Sequence, residues 1–109
     1  MISSDVIRGY VDVLVLDSVM DEPSYGYAIS KAIEEKTGGQ YVIKETTLYS
    51  AMRRLEEACA LESFKGGESQ GRPRTYYRIT PKGHELYRNK CAEWHTTVDV
   101  VGRFVREEN

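Results

Sequence analysis

A chain of 109 residues, 40% hydrophobic and 29% charged, can bury one core and lies outside the composition of disordered or fibrous proteins. Its longest unbroken aliphatic run, Val13 to Leu16, cannot cross a bilayer, and no basic-then-apolar leader precedes it, so a cytoplasmic protein with no membrane partner is expected. The net charge of −2 excludes a uniformly basic nucleic-acid binder, yet the charge is uneven: residues 1–43 carry −4, residues 44–78 carry +2 and residues 79–109 carry none.

Val6, Tyr10, Val13, Leu14 and Leu16 recur at helical spacing and predict a first helix over Asp5 to Met20. Val11 and Val15 widen its apolar face, so it is expected to be buried on two sides. Asp21-Glu22-Pro23 stops it, and Ser24 is the expected N-cap of a second helix with Ile29, Ala32 and Ile33 on one side, ended by Thr37-Gly38-Gly39. A third helix, from about Glu45 to Ala58, turns Leu48, Met52 and Leu55 inward. Leu61 to Lys65 and Arg74 to Thr80 then read as short strands, joined by a tip of turn residues from Gly66 to Pro73. Thr80 and Pro81 open the last helix as N-cap and first helical residue, where the missing proline N–H costs nothing. The expected fold class is α+β, mainly α: a winged helix-turn-helix over residues 1–80 and a long C-terminal dimerisation helix over residues 81–109.

In such a fold the third helix enters the major groove and the wing follows the DNA backbone. Here the outward face of that helix carries Thr46, Tyr49, Ser50, Arg53 and Glu57, and all but Glu57 can donate to phosphates or base edges. A polar face can equally be a solvated one, and the wing separates the two readings. Lys65, Arg72 and Arg74 bracket its tip, where Gly66, Gly67 and Gly71 permit close approach to a duplex. Double-stranded DNA is therefore the expected partner.

On the last helix Tyr87, Cys91, Trp94, Val98, Val101 and Val105 fall four, three, four, three and four apart, a coiled-coil seam. The rest of the chain already supplies its own core, so a second copy is the expected partner of this stripe. A two-fold homodimer would set the recognition helices about 34 Å apart and call for a near-palindromic operator. The chain offers no nucleophile with a base and no paired carboxylates, so neither an enzyme nor a cofactor is expected. Cys59 and Cys91 make no CxxC, and Cys91 with His95 gives two metal ligands at most, so no metal is expected. The rival reading is a winged-helix interaction module that binds neither DNA nor ligand; the arginines kept on the wing favour the regulator.

Several segments together resemble the PadR family of transcriptional regulators. They are Arg8-Gly9 with Asp12 to Leu16, Tyr25-Gly26-Tyr27, Thr47-Leu48-Tyr49 with Arg54-Leu55-Glu56, and the run from Gly71 to Thr80 followed by Gly83. The resemblance implies DNA-binding regulation and adds Thr47 to the DNA-binding set. The short length and single long last helix are similar to the branch that includes multidrug-sensing repressors. In those relatives a tryptophan matching Trp94 stacks on flat aromatic ligands between subunits, with positions matching Asp12 and Val13 in the wall. The resemblance therefore implies a repressor relieved by a planar aromatic or cationic small molecule. The chain departs from the family pattern at Lys44-Glu45-Thr46, where Glu45 is expected to complement the helix dipole. Tyr25 and Tyr27 are expected to close the corner between helix and wing.

Overall fold

The computed structural model describes residues 1–69 and 72–108, and of residues 68, 69 and 72 the backbone alone. Within them the order is α1 (Ser4–Ile7), a 3-10 turn (Arg8–Tyr10), α2 (Val11–Ser18), α3 (Gly26–Lys36), α4 (Glu45–Glu57), β1 (Leu61–Ser69), β2 (Arg72–Ile79) and α5 (Pro81–Gly102). The fold is mostly helical with one small antiparallel wing, a winged helix.

The first helix departs from its expected span. Arg8-Gly9-Tyr10 breaks it into a short α1 and an eight-residue α2, consistent with the weak helical preference of Gly9. Val6 is consequently exposed, while Val11, Val15 and Leu16 turn fully inward. Ser24 does not cap the second helix. Its backbone pairs with Tyr77 of β2 (N–H to O 3.1 Å, and 2.8 Å in return), and Tyr25 takes the N-cap position of α3. Ala32 faces solvent, leaving Ile29 and Ile33 as the buried residues of that face.

Every residue of the buried apolar core lies between Val11 and Leu61. Leu48, Ala51, Met52 and Leu55 of α4 sit at its centre against Val15 and Leu16 of α2 and Ile29 of α3. The strands run longer than their apolar residues indicate. Pairing continues through Gly66↔Arg74 and, after an irregularity at Gly67, to Ser69↔Arg72, so most of the expected tip is strand.

Both α3 and α4 end in the same two-bond cap. Gly38 and Gly39 donate back to Glu35 and Glu34 after α3, and Cys59 and Ala60 to Glu56 and Leu55 after α4. The left-handed position is held by Gly38 in the first case and by Cys59, at φ 62°, in the second. Beyond it Thr80 joins head to arm: its hydroxyl donates to the Cys59 carbonyl (2.6 Å) and accepts from the Gly83 N–H (3.0 Å) at the start of α5.

Candidate nucleic-acid interface

The inward stripe of α4 fixes the opposite face toward solvent. Thr46, Tyr49, Ser50 and Arg53 are exposed and Thr47 is half-buried. Lys44 occupies the N-cap position without a side-chain cap, and Glu45 in the first turn complements the free N–H groups. Tyr49 does more than face outward. Its phenol lies against the α-carbon of Gly26, where a β-carbon would collide, so the residue pins α4 to the start of α3.

Two recesses flank this face. On one side Thr46, Thr47 and Ser50 share a recess of about 260 Å³ with Arg8, Val11 and Arg54. Arg54 reaches across to Asp12 of α2, and Arg8 pairs with Asp5 at 2.6 Å. On the other side a recess of about 410 Å³ joins the recognition helix to the wing, lined by Tyr49, Tyr25, Gly26 and Tyr27 opposite Arg74 and Tyr77. Burial pushes the Tyr77 phenol above its ordinary range, with Glu56 and Tyr49 adding to the shift.

The wing cations are held in different ways. Arg74 lies over the ring of Tyr25 at 3.8 Å, Arg78 pairs with Glu62 at 2.8 Å, and Lys65 donates to the Thr75 hydroxyl at 2.6 Å. The side chain of Arg72 lies outside the described residues. Tyr25 does close the corner between helix and wing, edge-on to Tyr76 at 5.5 Å. Tyr27 does not: it is largely exposed, with Lys31 above its ring. Arg8, Arg54 and Tyr25 are additions that sequence spacing did not assign to the DNA face. Each reaches it through a contact between distant segments, and no local pattern carries that signal.

The residues expected in a ligand wall are only partly brought together. Val13 and Trp94 share a groove of about 470 Å³ between α1, α2 and α5, where Tyr10 meets Trp94 edge-on at 5.2 Å and donates to the Thr97 hydroxyl at 2.9 Å. Asp12 does not line it: one position along α2 points to the other side, where its carboxylate holds Arg54. On the expected seam Tyr87 packs on the head's own core, Cys91 is half-buried, and Trp94, Val98 and Val101 are about half exposed. Val105 falls beyond the end of α5 at Gly102 and so outside the helical repeat.

The family model for the transcriptional regulator PadR-like family matches residues 15–89, from α2 through the wing into α5. The chain belongs to the PadR-like family of transcriptional regulators. Among solved structures, a transcriptional regulator from Clostridium thermocellum is 53% identical with a TM-score of 0.88, over 94% of this chain and all of that one. A PadR family transcriptional regulator from Eggerthella lenta is 36% identical with a TM-score of 0.81, over 95% of this chain and 88% of its own. An uncharacterized protein from Lysinibacillus sphaericus is 36% identical over 96% of both chains. Membership implies DNA-binding regulation, and the exposed face of α4 with the arginine-bearing wing is the surface on this PadR-like protein suited to it. No helix among the described residues is long and apolar enough to cross a membrane.

Proposed function

We propose that this PadR-like protein is a sequence-specific repressor acting in the cytoplasm as a homodimer on a near-palindromic operator, with residues 1–80 as reading head and residues 81–109 as dimerisation arm. One observation carries the reading: Tyr49 of α4 and Arg74 of the wing line the same recess, so a base-reading helix and a phosphate contact face one duplex. Thr46, Thr47, Tyr49, Ser50 and Arg53 serve the major groove, and Lys65, Arg72 and Arg74 the backbone. The pairing of α5 rests on Trp94, Val98 and Val101, apolar side chains about half exposed along one helix, with Tyr87 and Cys91 extending the stripe toward the head and Val105 continuing it past the helix end.

A flat aromatic molecule in the groove of Val13 and Trp94 would relieve repression by favouring one separation of the two heads. Asp12 has no part in that site, being engaged by Arg54. Titration of planar compounds against Trp94 fluorescence should show quenching, and a broad panel with no response would remove the ligand from the proposal.

Footprinting on the promoter nearest the protein's own gene tests the regulator itself. A protected, near-symmetric stretch about one to two helical turns long is expected. Arg53→Ala should lower discrimination between that site and a shuffled one by about tenfold, the worth of a good base contact. Equal loss on both sites would assign Arg53 to the backbone, and no protection at any salt concentration would overturn the function.

A further inference from the structure

We infer that Tyr25 is a positioning residue for DNA binding: its ring holds the Arg74 guanidinium in place for a backbone phosphate. The inference rests on the regulator proposed above and deepens it.

Two backbone hydrogen bonds between Ser24 and Tyr77 tie the start of α3 to β2, three residues from Arg74. Tyr25 follows directly. Because side chains alternate along a strand, Arg74, Tyr76 and Arg78 share one face of β2, opposite Gly66, Phe64 and Glu62 of β1. On that face Phe64 stacks on Tyr76 at 5.7 Å, Tyr76 meets Tyr25 edge-on at 5.5 Å, and Arg74 caps the row over Tyr25 at 3.8 Å. The residue paired with Arg74 is glycine. A β-carbon at Gly66 would press on the Phe64 ring at 3.3 Å, so a side chain there would disturb the row.

Stacking through its face leaves a guanidinium's N–H donors free at its edge, where phosphate oxygens bind. An arginine held in this way loses less rotamer freedom when it meets the backbone than one that swings in solvent. Arg78, the other arginine on this face, sits over Phe64 but is also bound to the Glu62 carboxylate, so the same stacking serves a different end there.

Affinity for the operator, measured across a salt series, tests the assignment. Arg74→Ala should weaken binding about tenfold and lower the log–log salt slope by about 0.9, one phosphate contact. Tyr25→Phe, which keeps the ring, should match the parent. Tyr25→Leu should reproduce at least half of both losses, and on the Arg74→Ala background should cost nothing further. Tyr25→pentafluorophenylalanine, equal in shape but reversed in ring polarity, should behave as Tyr25→Leu does, and it keeps the test open should the leucine variant not fold. Parental affinity and slope in both ring-altering variants, or the same loss with and without Arg74, would overturn the inference while leaving the regulator standing. An Arg74→Ala variant indistinguishable from the parent would remove the wing contact itself, and the inference with it.

Discussion

The head and the arm use apolar residues in opposite ways. From Val11 to Leu61 the head buries its valines, leucines and isoleucines against one another, and α4 sits centrally because four of its side chains are wanted there. In α5 the only buried residue is Gly83, while Trp94, Val98, Val100 and Val101 stand in the open. A helix this long with its stripe uncovered gains little from folding alone, since burial is what stabilises an amphipathic helix. The head can hold its shape unaided; the outer half of the arm makes sense only against something else.

The contrast breaks most severely at the joint. Replacing a helical glycine with alanine ordinarily stabilises, by about 1 kcal/mol. At Gly83 the sign should reverse, because the new methyl would strike the Ala60 carbonyl oxygen and the Ile79 side chain. Gly83→Ala is expected to cost about 2–4 kcal/mol in urea denaturation, as core overpacking and a displaced backbone do. A more stable variant would mean that α5 can shift freely on the head.

Next in size is the seam. Val98→Asp with Val101→Asp should convert a dimer to a monomer in sedimentation and weaken operator binding about a hundredfold, since linked heads owe much of their affinity to the link. The melting of the head should change by no more than about 0.5 kcal/mol, as both positions lie on its surface. A dimer that survives both charges would show that the arm is not the partner surface.

The smallest effect sharpens the comparison within the head. Gly38 and Cys59 occupy the same left-handed position after α3 and α4, and only the cysteine has a β-carbon to strain. Cys59→Gly should therefore stabilise by about 0.5–1 kcal/mol, read as a higher urea midpoint at unchanged slope. No gain would indicate that the lost chain entropy of cysteine offsets the relief.

Legibility in the sequence followed the range of the interactions. Leu48, Met52 and Leu55 mark α4 by spacing alone, and Thr80-Pro81 marks the start of α5, because caps and stripes are local. The break at Arg8–Tyr10 was missed because a single glycine weakens a helix without forcing it to stop. The wing strands were cut short because their outer pairs are glycine, proline and charged residues, held by the ladder rather than by apolar alternation. Ser24 looked like a cap and became a bridge to Tyr77, fifty-three residues away. The DNA face was half legible for the same reason. Arg53 follows from helical phase, whereas the pairing of Arg54 with Asp12 and the seat of Arg74 on Tyr25 depend on chain folding back on itself.

The arm is mounted on the head at two places, at Gly83 near its start and again where Tyr10 braces Trp94 and Thr97. A beam of 22 residues, about 33 Å long, fixed twice cannot swivel. In a paired molecule the distance between heads would then be a built-in gauge, and one extra base pair at the centre of the operator would carry the far half-site round by roughly 35°, out of reach of a head that has no hinge to follow it.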